Sequence, residues 1–243
     1  MKALIISDVH ANLTALEAVI EAAGDIEAVW CLGDLVGYGP DPNDCIDRIC
    51  TLPNLTCLLG NHDAAALGQI DDDAFNLEAR TSLRWMRSEL TPSHMAFLRA
   101  LPEMTTEEKL VTLVHGSPRN PVWEYVMDLR IARFNFEYFT TPFCFVGHTH
   151  LPVIYQYNAD RKLLAYDIPL DGDKIELNAQ SIINPGSVGQ PRDHDPRAAY
   201  AIFDTETNIC CFHRVDYDVT GVQKRILLAG LPVRHAYRLS EGW

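Results

Sequence analysis

Positive charge is scarce in this chain, with 20 Lys and Arg set against 33 Asp and Glu for a formal net charge of -13. Neutralising a nucleic-acid backbone takes clustered Lys and Arg, so the balance excludes a protein that tracks nucleic acid through an extended basic surface. A small phosphorylated substrate stays open, because bound dications would invert the local field. The seven cysteines are odd in number, irregularly spaced and without a Cys-x-x-Cys pair. That speaks against a disulfide framework and for free thiols in a reducing compartment. No apolar run approaches membrane-spanning length, and Met1-Lys2 leads straight into a strand, leaving no room for a signal peptide. A cytoplasmic protein with no membrane partner is expected. Internal repeats, low-complexity segments and a linker-like composition break are also missing. The 243 residues, 47% hydrophobic, therefore read as one domain over 1–243 with a full core.

What the chain does have is one event repeated five times: a short apolar run ending in residues that carry chemistry. The runs are Ile5-Ile6-Ser7-Asp8-Val9-His10, Val29-Trp30-Cys31-Leu32-Gly33-Asp34, Leu58-Leu59-Gly60-Asn61-His62-Asp63, Val111-Thr112-Leu113-Val114-His115-Gly116 and Phe145-Val146-Gly147-His148-Thr149-His150. Such runs read as buried strands, and a buried sheet presents the loops after its strands along one edge. Strand alternation would turn Asp8 and His10 to one side, and likewise His148 and His150. With Asp34, Asn61 and His115 added, the hard and borderline donors exceed what one tetrahedral ion needs. They suit two ions sharing a bridging carboxylate, roughly 3.5 to 4 Å apart. His94, His194, His213 and His235 stand alone and read as structural, and Asp41, Asp44, Asp71, Asp72 and Asp73 as caps or solvated loop.

Between the runs, Asn12 is placed to cap a helix with Leu13, Leu16 and Ile20 on one face and Gly24 as its stop. Asp41-Pro42 reads as an Asp cap with Pro at the first helical position. Ala79, Leu83, Met86 and Leu90 share a helical face, and Thr91-Pro92 opens a further helix. The segment at about 64–102 thus reads as a helical cover or cap. After Leu151 the pattern turns to short strands, with Asp171-Gly172-Asp173 as a hairpin turn, and closes in one helix carrying Val219, Val222 and Ile226. Two sheets packed face to face with helices outside account for both halves.

Asp8-x-His10, Gly33-Asp34, Gly60-Asn61-His62-Asp63, His115-Gly116 and Gly147-His148-x-His150 resemble, in order and spacing, the motif set of the calcineurin-like metallophosphoesterases. Asn184-Pro185-Gly186-Ser187-Val188-Gly189 further resembles the branch of small single-domain prokaryotic phosphoesterases and phosphodiesterases. The resemblance implies an α/β (α+β) fold, a four-layer αββα sandwich of two mixed sheets flanked by helices. It implies one ion on Asp8, His10, Asp34 and His150 and another on Asp34, Asn61, His115 and His148. Asp34 then bridges, and His62 stands unliganded beside the substrate as proton donor. The ions implied are Mn, Fe, Co, Ni or Zn, with Mn favoured, and the reaction is in-line attack by a bridging hydroxide on a phosphodiester or small phosphomonoester. Arg192 and Arg119 are candidates for phosphate contacts, and a homo-oligomer is allowed.

The sequence departs from the protein phosphatases of the superfamily, which carry an Asp-Arg pair three and four residues after the bridging Asp. Gly37-Tyr38 stands there instead. This ranks a phosphoprotein phosphatase or a symmetrical diadenosine tetraphosphatase below a small-ester hydrolase. A non-enzymatic scaffold of the same fold, the retromer subunit, lacks the catalytic His that His62 supplies here.

Overall fold

In the computed structural model, described over residues 1–158 and 163–243, strand β1 (Lys2–Ile6) alternates its side chains between two cores. Ala3 and Ile5 point into a cluster with Trp30, Phe145 and Phe203, while Leu4 and Ile6 join Leu16, Val19, Ile46 and Ile49. A strand apolar at every position is what two buried faces require.

The chain continues through α1 (Leu13–Ala23), β2 (Ala28–Cys31), α2 (Pro42–Cys50) and β3 (Leu55–Cys57), with β1, β2 and β3 parallel. Then come α3 (Asn61–Ala66), a 3-10 turn at Asp72–Ala74, α4 (Leu77–Glu89), α5 (Pro92–Ala100), β4 (Met104–Glu107), β5 (Val111–Val114), α6 (Leu129–Asn135) and β6 (Phe143–Phe145). The last part runs β7 (Val153–Asn158), β8 (Leu163–Asp167), β9 (Lys174–Glu176), β10 (Gln180–Asn184), β11 (Ala198–Asp204), β12 (Ile209–Val215), α7 (Val219–Leu228) and α8 (Val233–Glu241).

Two mixed six-stranded sheets result, ordered β3-β2-β1-β11-β12-β9 and β4-β5-β6-β10-β7-β8. Trp30, Phe145 and Phe203 fill the space between them, with Phe203 5.4 Å from Phe145 and 5.6 Å from Phe143 between ring centres. α1 and α2 cover the outer face of the first sheet, and Ala132 and Phe136 of the α6 region cover the second. The four layers expected from the sequence are present. Among the described residues no helix is long and apolar enough to cross a membrane.

Several local readings need correction. Residues 171–172 do turn, but they lead from β8 in one sheet to β9 in the other and close no hairpin. Gly172 N–H donates to the Phe212 carbonyl and Phe212 N–H to the Asp173 carbonyl, each at 2.9 Å, which draws the strand onto β12. Asp41 precedes α2 but makes no side-chain capping bond, because its carboxylate is taken by Arg225 at 2.9 Å. Asn12 does cap α1, accepting the Ala15 N–H at 3.1 Å. The chain ends in two helices, since Gly230 at φ 70° and Pro232 break the helical run before α8.

Candidate metal centre

β1 ends at Ile6 and β6 at Phe145, so none of the chemistry-bearing residues lies in a strand. Asp8, His10, Asp34, His148 and His150 all adopt left-handed backbone, with φ between 49° and 64°. The expectation that alternation aims these pairs is thus corrected: tight left-handed loops do it. Each such residue costs on the order of 1–2 kcal/mol, so the loops must hold one another. They do, through Asp8 N–H to Gly33 O at 3.0 Å, His10 N–H to Asp34 O at 2.9 Å and Gly147 N–H to His115 O at 2.8 Å. Gly60 packs so closely that a Cβ on it would overlap the Asp34 carboxylate.

Both carboxylates are tied at one oxygen and bare at the other. Asp8 Oδ2 accepts the His148 N–H at 3.0 Å and Asp34 Oδ1 accepts the His62 N–H at 2.8 Å. Asp8 Oδ1 and Asp34 Oδ2 are buried without a hydrogen-bond partner. Asp8 Oδ1 lies 3.2 Å from His150 Nε2 and 3.8 Å from His10 Nε2, whereas Asp34 Oδ2 lies 3.7 Å from His10 Nε2 and 3.5 Å from His115 Nε2. The Asp34 oxygen stands between two groups of histidines.

The imidazoles show the same division. His10 Nδ1 donates to Val36 O, His115 Nδ1 to Leu32 O, His148 Nε2 to Trp123 O and His150 Nδ1 to Gln190 O. A carbonyl can only accept, so in a neutral ring the other nitrogen is left with its lone pair facing inward. Those inward nitrogens confront one another, His10 Nε2 with His150 Nε2 at 3.1 Å and His115 Nε2 with His148 Nδ1 at 3.2 Å. Asn61 Oδ1 adds a further acceptor 3.1 Å from His115 Nε2. Lone pairs turned toward lone pairs and bare carboxylate oxygens are a donor set for cations, so the residues present fit metal ions.

Electrostatics agree. Burial first, and then neighbouring His150 for His10 and His115 for His148, push these imidazoles well below their usual range and keep them neutral. Burial, followed by the charges of Asp63 and Asp8, pushes the Asp34 carboxyl well up, a carboxylate short of counter-charge. Two of the compact ligand groups are Asp8, His10, His150 and Asp34, His115, His148. A third group is His10, Asp34 and His62.

His62 sits in an aromatic box. Its ring lies 4.5 Å from Tyr38, 5.0 Å from His10 and 5.1 Å from Phe75, and its Nδ1 has no partner. Gly37, at φ 112°, is required here, since a Cβ would come within 2.8 Å of His62 Nδ1 and 2.9 Å of His10 Nδ1. Tyr38 fills the place of the missing Asp-Arg pair, and burial pushes its hydroxyl up against the opposing charge of Arg192. Arg192 is near enough that its charge, after burial, helps push His62 and His150 down. Arg119 is not brought to this group, because it pairs with Glu124 and lies 5.7 Å over the Phe134 ring.

Sequence reasoning missed the supports. Asp63 accepts N–H bonds from Val36 and Gly60 at 3.0 Å each and so locks two loops together. The carbonyls that orient the histidines leave no mark on residue type and were unreadable. His235, read as standing alone, packs 4.9 Å from Tyr38.

A family model described as the calcineurin-like phosphoesterase superfamily domain matches residues 1–208. The chain belongs to that superfamily. Over its full length this calcineurin-like phosphoesterase superposes on the crystal structure of a metallophosphoesterase from Sphaerobacter thermophilus. The TM-score is 0.92 and the identity 45%, with 100% of this chain and 99% of that one covered. It is 37% identical over 245 residues to an uncharacterized protein of Methanocaldococcus jannaschii, covering 98% of this chain and 97% of the other. It is also 26% identical over 137 residues to the symmetrical bis(5'-nucleosyl)-tetraphosphatase of Salmonella paratyphi C, where it spans 49% of the relative's length. The calcineurin-like phosphoesterase described here is accordingly a hydrolase acting on phosphoester bonds.

Proposed function

We propose that the protein hydrolyses a small phosphomonoester or a phosphodiester using two divalent ions. Asp8, His10, Asp34 and His150 hold one, and Asp34, Asn61, His115 and His148 hold the other. The observation that carries this reading is the unpartnered Asp34 Oδ2 between His10 and His115. With histidine nitrogens beside hard oxygens and no cysteine among the donors, the set favours a transition ion, manganese first, over an oxygen-seeking magnesium. Bound there, the ions supply an acidified water and a counter-charge for the phosphoryl oxygens.

The chain's own residues do the rest. The buried histidines and carboxylates fix the donors before substrate arrives, and their carbonyl partners hold each tautomer. Arg192, whose charge acts on His62, takes the phosphate-gripping role left open by Gly37-Tyr38. His62 is held neutral by burial, and next by Arg192. An anionic phosphoester set against the ring favours its protonated form, which then delivers a proton to the leaving oxygen. Residues 64–102 act as a cap through Phe75, which lies against His62 and 5.3 Å from Trp123. The seven free cysteines fit a cytoplasmic, reducing setting.

A second reading, a diadenosine tetraphosphatase, is favoured by the 26% identity to bis(5'-nucleosyl)-tetraphosphatases. Manganese-loaded protein assayed on phosphomonoesters, phosphodiesters and dinucleoside polyphosphates decides between them. Fastest turnover on a mono- or diester is the expected result, and preference for the tetraphosphate supports the second reading. No turnover of any ester overturns both.

A further inference from the structure

A hollow of about 180 Å³ opens beside the centre, walled by Val126, Met127, Leu151, Tyr155, Tyr166 and Ile168. Its polar members tie it to the centre. Thr149 lies between His148 and His150 in the chain, and Asp193 follows Arg192. Val126 follows Tyr125, whose ring stacks flat on the His148 ring at 3.7 Å and 19°. A second hollow of about 390 Å³ shares Met127, Tyr155 and Tyr166 and extends the first. Met127, Tyr166 and Ile168 are 59%, 57% and 62% exposed, so the trough presents apolar side chains to whatever enters it.

We infer that this trough is the binding site for an uncharged aromatic group carried by the phosphoester, of the kind a nucleoside or an aryl alcohol supplies. Three observations select that occupant. Thr149 and Leu151, on the loop that carries His148 and His150, form part of the trough wall, and Val126 follows the Tyr125 that stacks on His148, so a group esterified to a phosphate at the centre lies within reach of the trough. The trough's walls are apolar, and the tilted Tyr155 and Tyr166 rings, 6.3 Å apart, give it aromatic faces. The first hollow is lined by no Lys or Arg, and its one carboxylate, Asp193, is paired with Arg214, so nothing there holds a phosphate, which stays at the centre while the neutral part lies in the trough. Aromatic stacking, unlike base-edge hydrogen bonding, accepts any planar ring. This inference rests on the phosphoesterase reading above.

The test compares phenylphosphonate with methylphosphonate on the manganese-loaded protein by calorimetry. The two share the phosphonate and differ by the ring. The phenyl compound should bind roughly tenfold more tightly, in keeping with one stacking contact. Tyr166→Ser and Met127→Ser, both at exposed positions, should narrow that ratio toward unity. A nucleoside 5'-phosphonate tests the source: affinity above phenyl, lost in the same variants, assigns the trough to nucleosides, and affinity below phenyl assigns it to aryl alcohols. Equal phenyl and methyl affinity overturns the inference, as does tighter binding of hexylphosphonate than of phenyl. A dimer that Tyr166→Ser dissociates with the ratio unchanged also overturns it and gives the face to a second copy. If neither phosphonate binds while the protein turns over an ester in the assay above, the inference is overturned; absence of ester turnover is the separate failure of the phosphoesterase reading.

Discussion

At the scale of single residues, His62 is held differently from the histidines around it. His10, His115, His148 and His150 each spend one nitrogen on a carbonyl and turn the other inward, whereas His62 Nδ1 has no partner at all. A ring held by Tyr38 and Phe75, with no carbonyl fixing Nδ1, is free to serve the substrate. His62→Asn should keep the metals and lower kcat on an alkyl or nucleoside ester by roughly 10² to 10⁴, the usual range for a general acid. On a nitrophenyl ester, whose leaving group needs no proton, the loss should be far smaller. Steady-state kinetics on both esters with metal content measured in parallel checks this. Equal losses would make His62 a positioning group, and a lost metal would make it a ligand, as the grouping of His10, Asp34 and His62 allows.

At the scale of elements, α8 brings to the centre a residue that no motif announces. Its His235 is buried against Tyr38, with Nδ1 unpartnered and Nε2 3.4 Å from the Glu78 carbonyl. Burial pushes this imidazole down to about 4. The unfolded chain takes up a proton near 6.5 while the folded one does not, so stability rises with pH across this window. The contribution is full above pH 6.5 and is lost as pH falls toward 4, up to about 3 kcal/mol for a shift of this size. His235→Gln should flatten that part of the stability curve. Urea unfolding at pH 7 and pH 4.5 in one fixed metal state measures it, and parallel curves for both proteins would refute the assignment. The inter-sheet layer makes a simpler prediction: Phe203, fully buried against Trp30, Phe143 and Phe145, should cost about 3–5 kcal/mol on change to Ala by the same unfolding assay.

β1, β2, β5, β6 and β10 were readable because their runs are buried on both faces, whereas the half-exposed Met104–Glu107 of β4 shows no such pattern and was not read. α8 was not read either, because its buried apolar positions are only Ala236 and Leu239 and its start at Pro232 carries no side-chain cap. β9 was readable as a strand but not as a member of the first sheet, since sheet membership depends on partners distant in sequence such as Ile209.

At the scale of the whole molecule, a chain of net charge -13 is asked to bind an anion, and the residues that attract it are few. The charge of Arg192 reaches His62, while Arg119 is spent on Glu124. On the proposed two-ion reading the counter-charge comes from ions gathered where the two sheets present their loops, at the edge where five strand ends from both sheets converge. The sequence displayed the donors, since Asp, Asn and His after buried strands are legible. It did not display the left-handed turns that aim them, because φ at Asp8 or His148 is set by neighbouring loops and not by residue type.

The central claim is the bridge at Asp34, whose bare oxygen lies 3.7 Å from His10 and 3.5 Å from His115. The most direct measurement is elemental analysis of wild type and Asp34→Asn after reconstitution with manganese and exhaustive dialysis. Wild type should retain about two ions per chain, as a dinuclear site requires, and Asp34→Asn should lose both while remaining folded by circular dichroism. Asp34→Asn that keeps both ions at wild-type affinity, or wild type that holds one or none, would contradict the account.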